Sequence, residues 1–179
     1  MVKGVASLLD RPATARVEQI WNDLEKLCGL TGVRITPFPH FSWQVTEDYD
    51  QPALDALLKK LAADTPPFSI RTTGLGIFTG PSPVVYLAIV KDAKLFSIHE
   101  ALWKETRQFS IRPEPYYSPD QWVPHITLAY GDVSPDNLDC VTRSLAYQSF
   151  DWTIRIDNLV SISLTDDRAA PIVRYRLSG

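Results

Sequence analysis

Two short segments carry the residues whose types and spacing are best suited to chemistry. They read PHFS at 39–42 and PHIT at 124–127. Side chains two positions apart share one face of a strand, so His40 lies beside Ser42 and His125 beside Thr127. An imidazole with a pKa near 6.5 can accept or donate a proton near neutral pH, and a hydroxyl can donate a hydrogen bond to a phosphate oxygen. Two such pairs facing each other suit acid–base chemistry at a phosphate, without a metal or other cofactor.

An internal repeat supports the idea that the two segments belong together. At an offset of about 82–85 residues the chain matches itself in several places and in the same order. Glu18–Trp21 falls on Glu100–Trp103, and Phe68 falls on Phe150. We interpret residues 1–179 as one domain with two pseudo-symmetric lobes. In that arrangement His40 and His125 lie on opposite walls of a central cleft.

Hydrophobic periodicity predicts the elements that position these segments. Apolar residues at three- and four-residue steps predict a helix over 12–28, helices after Pro52 and around Leu95, and a fourth helix capped by Ser134 with Pro135 first. The stripe of the first helix is Val17, Ile20, Trp21, Leu24 and Leu27. Strand-like runs occupy 5–9, 40–45, 68–78, 84–90, 125–130, 152–164 and 172–177. This order predicts an α+β fold of largely antiparallel sheets with helices on their outer faces.

Composition narrows the functional classes. The 179 residues carry a net charge of −3, which argues against a broad grip on duplex DNA but allows a pocket for one phosphate. The apolar run near the N-terminus is too short for a signal peptide or a membrane span, so we expect a cytosolic protein, and a monomer. Cys28 and Cys140 are widely spaced; we expect both to be buried, reduced and inert.

The paired His-x-[Ser/Thr]-apolar motifs, half a chain apart, resemble those of the 2H phosphoesterases, which include 2'-5' RNA ligases and cyclic phosphodiesterases. The resemblance implies a bilobal fold and metal-independent chemistry on 2',3'-cyclic phosphates or 2'-5' linkages in nucleotides or RNA ends. It implies that His40 and His125 are catalytic and that Ser42 and Thr127 bind phosphate. Some RNA-ligase-like members have a basic residue where this chain has Tyr130, which favours a small nucleotide or an RNA terminus over a long RNA.

Several functional alternatives stay open on the sequence alone. The reaction could be hydrolysis, joining of RNA ends through a 2'-5' linkage, or trimming of an RNA 3' end. A nucleotide-binding module without turnover is a further alternative of another class. The near-symmetric pair does not show which histidine is the acid and which the base.

Aromatic residues are candidates for stacking a nucleobase. We consider Tyr130, Trp122 and Phe78 as substrate-binding residues. Trp122 lies at the end of a proline-rich loop at 111–122, where we expect it, with Tyr116 or Tyr117, to be exposed.

Other conspicuous residues have structural interpretations. His99 lies at the edge of a helical stripe and is interpreted as structural, and Trp43 as core packing. The glycine-containing segment 74–80 lacks the lysine and following helix of a phosphate loop, so it is interpreted as a bent strand. Arg71 and Arg155 could border the cleft or be solvated strand residues.

Overall fold

Helices and strands alternate along the chain in the computed structural model, which describes residues 2–165 and 168–179. The strands are β1 (Val2–Leu8), β2 (His40–Tyr49), β3 (Phe68–Phe78), β4 (Val84–Ile89), β5 (Ser110–Pro113), β6 (His125–Ala129), β7 (Thr153–Ile156), β8 (Asn158–Thr165) and β9 (Arg168–Arg176). The helices are α1 (Arg11–Cys28), α2 (Gln51–Asp64), α3 (Ala93–Thr106) and α4 (Leu138–Leu145), with short 3₁₀ turns at Gly32–Ile35 and Pro115–Tyr117.

The strands form two antiparallel sheets. The first has the order β5-β2-β1-β8-β9 and the second the order β6-β4-β3-β7. Helices α2 and α3 contact the first sheet, whereas α1 packs on β6 of the second sheet and against α4. The predicted α+β fold with antiparallel sheets and two lobes is confirmed.

The two halves of the chain exchange strands between the sheets. The late strands β8 and β9 continue the sheet that β1 and β2 begin, and β3 from the first half lies between β4 and β7. Each lobe therefore contains strands from both halves, and the sheet that carries His40 is completed only by residues from the end of the chain.

Aspartate caps fix the beginnings of three helices. The side chains of Asp10, Asp50 and Asp92 accept hydrogen bonds from backbone N–H groups three residues later, which satisfies donors that a helix start leaves unpaired. The fourth helix begins at Leu138, later than predicted. Residues 134–137 instead form a turn in which the Ser134 N–H donates to the Asn137 side chain at 2.8 Å.

The core lies between the helices and the sheets and includes Trp43, which is fully buried as predicted. Leu27 was expected in the apolar stripe of α1, but it is 67% exposed in the last turn of that helix. The predicted strand over 152–164 is two strands, because the chain passes at Asp157 from β3 of one sheet to β1 of the other. In the part of the chain that the structure describes, no helix is long and apolar enough to cross a membrane.

The two cysteines form a disulfide bond, so the prediction of two reduced thiols is wrong. Cys28 ends α1 and Cys140 lies in α4, and their Cα atoms are 5.8 Å apart although 112 residues separate them. The packing of α4 against α1 brings them together. Sequence spacing alone does not reveal that proximity.

Candidate active site

The two histidine–hydroxyl pairs line one cavity of about 760 Å³ between the sheets. His40 and Ser42 come from the first residues of β2, and His125 and Thr127 from the first residues of β6. All four side chains are half-buried, while the intervening Phe41 and Ile126 are buried on the opposite faces of their strands. The strand alternation that the sequence indicates is therefore present in both segments.

The same backbone contact orients both imidazoles. The Nδ1 atom of His40 lies 3.0 Å from the carbonyl oxygen of Phe38, and that of His125 lies 2.8 Å from the carbonyl oxygen of Val123. A carbonyl only accepts hydrogen bonds, so each Nδ1 carries a proton and donates it. Nε2 is then the nitrogen available for proton transfer in both rings.

Burial favours the neutral form of both imidazoles. It lowers the pKa of His40 to about 4, against the opposing effect of the Phe38 carbonyl, and the nearby His125 lowers it further. Burial also lowers the pKa of His125, and the Val123 carbonyl again opposes the change. An anion placed between the rings would favour the charged form instead. The cavity is thus suited to gain a proton together with a phosphate.

Two indole groups hold the backbone of the hydroxyl-bearing residues from the core side. Nε1 of Trp122 donates to the Ser42 carbonyl at 3.0 Å, and Nε1 of Trp21 donates to the Thr127 carbonyl at 3.2 Å. Tyr117 lines the same cavity. Sequence reasoning missed Trp21 in this role, because its helical periodicity showed only that it faces the core.

Trp122 is buried, so the prediction that it is exposed is wrong. It is 1% exposed, and its ring stacks on His99 at a centroid distance of 3.8 Å with planes 4° apart. The proline-rich loop folds back onto β2, so Trp122 supports the cavity wall, while Tyr116 from the same loop is 73% exposed at the rim. The structural interpretation of His99 is confirmed: it is fully buried, with Nε2 3.1 Å from the Trp43 carbonyl.

Aromatic rings pack around His125. Phe78 lies edge-on to its imidazole at 4.9 Å and stacks on Tyr86 at 4.2 Å. Tyr86 itself is 5.2 Å from the His125 ring and was missed at the sequence level, because it lies inside an apolar strand run. The glycine that pairs with Tyr86 in the sheet is the one indication of this ring in the sequence. A Cβ on Gly76 would lie 2.3 Å from the Tyr86 ring. Tyr130 is exposed at the cavity rim.

Charged side chains contribute little to this cavity. Of the described residues that line it, Lys3 alone carries a full charge, and its Nζ is 2.6 Å from a carboxylate oxygen of Asp48. Arg71 and Arg155 are exposed on the paired strands β3 and β7 and do not line the cavity. Within residues 2–165 and 168–179, no group of three or more histidine, cysteine, aspartate or glutamate residues is arranged to hold a metal ion.

Comparison with solved structures shows that the whole fold is shared. TT0787 of Thermus thermophilus is 18% identical with a TM-score of 0.71, covering 100% of this chain and 99% of that one. E. coli LigT complexed with ATP is 14% identical with a TM-score of 0.62, covering 99% and 98%. Kluyveromyces marxianus Usb1 is 10% identical with a TM-score of 0.58, covering 98% of both chains. No curated protein matches the chain.

A family model gives the relationship at the level of sequence. The model of the 2'-5' RNA ligase superfamily matches residues 9–168, a span that contains both histidine segments. This match agrees with the resemblance of the paired motifs to those of the 2H phosphoesterases. Since the match extends over most of the chain, the protein belongs to the 2'-5' RNA ligase superfamily.

Proposed function

We propose that this protein is a phosphoesterase that opens 2',3'-cyclic phosphates, or cleaves a related 2'-5' phosphodiester, in nucleotides or RNA ends. The observation that carries the proposal is the matched geometry of the two pairs. Both imidazoles line one cavity in the same tautomer, and each has a hydroxyl two residues along its strand. Such an arrangement supplies two proton transfers and two hydrogen-bond donors for a single phosphate.

The proposed reaction begins with one neutral histidine accepting a proton from water through Nε2. The water oxygen bonds to phosphorus, and the bond from phosphorus to one ribose oxygen breaks. The other histidine, protonated, donates its proton to that ribose oxygen, which leaves as a hydroxyl. Ser42 and Thr127 donate hydrogen bonds to the non-bridging oxygens, where negative charge accumulates. Either histidine can serve as the base, and the orientation of the bound substrate decides between them.

Ligands held by a similar protein support a nucleotide phosphate as the ligand. E. coli LigT has been solved complexed with 3'-AMP, with a TM-score of 0.61 to this chain, and complexed with phosphate, with a TM-score of 0.57. A nucleoside monophosphate of this kind is the expected product of opening a cyclic phosphate, so the product of the proposed reaction matches one of those ligands.

A second candidate reaction is the joining of RNA ends, which the name of the superfamily supports. In that reaction a 5'-hydroxyl takes the place of water, and the same two proton transfers produce a 2'-5' linkage. Trimming of an RNA 3' end is a related alternative, in which the same two proton transfers cleave a phosphodiester at the end of the chain. A third possibility, a binding module, would use the cavity without turnover.

The test is an assay with all four nucleoside 2',3'-cyclic phosphates, in which the position of the released phosphate is identified. We expect turnover in the presence of a metal chelator, and a loss of about 10²–10⁴-fold in each of His40→Ala and His125→Ala. Arg71→Ala, on an exposed strand position away from the cavity, is the control and should retain full activity. Near-normal turnover in either histidine variant would contradict the proposal. Tight ligand binding without turnover by the unmodified protein would favour the binding module.

A further inference from the structure

One wall of the cavity is an apolar groove on the first sheet. Its residues are Val2 and Gly4 of β1, Val45 of β2, and Ile162 and Leu164 of β8. Gly4 pairs directly with Val45 on one side and with Ile162 on the other. Glycine presents no side chain at that point, and the branched apolar side chains of its two pairing partners flank it. The groove adjoins the segment of β2 that carries His40 and Ser42.

The rim of the cavity is also apolar. Several of the large hydrophobic side chains that are exposed in the described structure lie around this opening: Val2, Ile77, Tyr116, Val123 and Tyr130. Single exposed apolar residues are common on protein surfaces, but their concentration around one opening is typical of a ligand-binding site. The ligand should therefore present an apolar or aromatic surface to the protein.

Two cations at or beside the cavity, Lys3 and Arg34, have partners among the described residues. Lys3 is paired with Asp48 at 2.6 Å. Arg34, in the 3₁₀ turn beside the cavity, is paired with Glu25 at 3.3 Å and also contacts Asn22. Thus one phosphate would meet the histidines and hydroxyls, whereas a second phosphate would meet no unpaired cation among the described residues that line the cavity. The net charge of −3 also weakly repels ligands that carry additional phosphates.

From the groove, the rim and the paired cations we infer the substrate class: a phosphodiester with one negative charge and an apolar or aromatic substituent, without further phosphates. The cyclic phosphate lies between the histidines, and the substituent lies in the apolar groove. This inference rests on the proposed phosphoesterase function. It distinguishes a mononucleotide-sized cyclic phosphate from the end of a longer RNA, which carries a phosphate for each nucleotide.

The first experiment compares adenosine 2',3'-cyclic phosphate with the same nucleotide carrying a 5'-phosphate, and with a dinucleotide that ends in the cyclic phosphate. We expect kcat/KM to fall about two- to fivefold for the 5'-phosphorylated substrate, the range of one solvent-screened charge interaction. For the mononucleotide, kcat/KM should change little with salt, because a site with few phosphate-neutralising cations releases few counterions. Preference for the dinucleotide, together with a steep loss of kcat/KM with salt, would overturn the inference.

A positive charge introduced at the edge of the groove tests whether the nucleoside of the substrate lies there. Leu164→Lys should shift the ratio of kcat/KM values about two- to fivefold toward the 5'-phosphorylated substrate. Val173→Lys adds the same charge on β9 of the same sheet, at an exposed position that does not line the cavity, and should leave the ratio unchanged. Equal ratios in both variants would show that the nucleoside does not lie along this groove.

A binding measurement keeps the inference separate from the proposed reaction. Calorimetry with adenosine 3'-phosphate and adenosine 3',5'-bisphosphate requires no turnover. We expect the monophosphate to bind more tightly. If cyclic phosphates are not hydrolysed but the monophosphate is preferred, the proposed reaction fails and the inference about charge stands. If cyclic phosphates are hydrolysed but the bisphosphate binds more tightly, the inference fails and the reaction stands.

Discussion

The His40 imidazole should be neutral in the free protein at neutral pH. Burial lowers its pKa from 6.5 to about 4, which corresponds to about 3 kcal/mol in favour of the neutral form. Burial has the largest effect on this pKa. The hydrogen bond to the Phe38 carbonyl opposes it with a smaller effect, and the charge of His125 lowers the pKa by the smallest amount. The perturbation that separates these causes is His125→Gln, which removes the charge and largely keeps the site filled. It should raise the pKa of His40 slightly and leave it well below 6.5.

The assay is an NMR titration of the imidazole signals. The chain has three histidines, so His125→Gln and His40→Gln together assign every signal. We expect the His40 signal to titrate near pH 4 in the free protein and at higher pH in saturating inorganic phosphate, because the anion favours the charged form. Phosphate should accordingly bind more tightly as the pH falls from 8 toward 5.

Stability should follow the same titration. Between about pH 4 and 6.5 the unfolded chain binds a proton at residue 40 that the folded protein does not bind. The free energy of unfolding therefore rises with pH in this window, and up to about 3 kcal/mol is lost as the pH falls from 6.5 to 4. Burial lowers the pKa of His99 to about 4 as well, so this histidine adds to the slope. In His40→Gln the slope should be smaller by one proton, measured by urea unfolding at several pH values.

Two results would refute this reasoning. A pKa of His40 near 6.5 in the free protein would show that water solvates the imidazole in the cavity. A return to 6.5 in His125→Gln would show that repulsion between the two rings, rather than burial, causes the shift. In the first case the free protein would have no added preference for the neutral imidazole, and in the second case that preference would have another origin.

Three further substitutions test the surroundings of the site. Gly76→Ala should displace the Tyr86 ring, lower the unfolding free energy by about 1–3 kcal/mol and lower kcat in the cyclic phosphate assay. Destabilisation with unchanged kcat would show that the Tyr86 ring does not position the His125 imidazole. Trp122→Phe keeps an aromatic ring stacked on His99 but removes the N–H that the Ser42 carbonyl accepts. The free energy of unfolding in urea should fall by about 1–3 kcal/mol, and an unchanged midpoint would contradict the role of the indole N–H. Cys140→Ser should cost about 2–5 kcal/mol in thermal unfolding and leave turnover at 25 °C unchanged, because this residue does not line the cavity; reduced turnover at that temperature would contradict this separation.

The features that the sequence predicted well are those that depend on neighbours along the chain. Alternation along a strand correctly separates His40 and Ser42 from the buried Phe41. The helix predicted after Pro52 is present as α2, and the structure adds that Asp50 caps its first turn. Such patterns hold because side-chain direction in a strand and unpaired N–H groups at a helix start are local properties of the backbone.

The features that the sequence did not reveal depend on residues far apart in the chain. Trp122, in the loop before β6, is buried because its ring stacks on His99 of α3 and on Trp43 of β2. Cys28 meets Cys140 only because α4 packs on α1. The pattern of β8 identifies a strand but not its partner, so the exchange of strands between the halves was not predictable from periodicity.

The exchanged strands have a consequence for how the protein acquires activity as it is synthesised. Asn158 accepts a hydrogen bond from the Ser7 hydroxyl at its backbone oxygen, at 2.7 Å, and another from the Leu8 N–H at its side-chain oxygen, at 2.9 Å. The sheet that carries the first histidine thus stays incomplete on the ribosome until the last strands have emerged. Contacts of such long sequence separation slow folding. Catalytic competence should therefore arise at the end of folding, in one cooperative step, and no nascent fragment should possess a functional half-site.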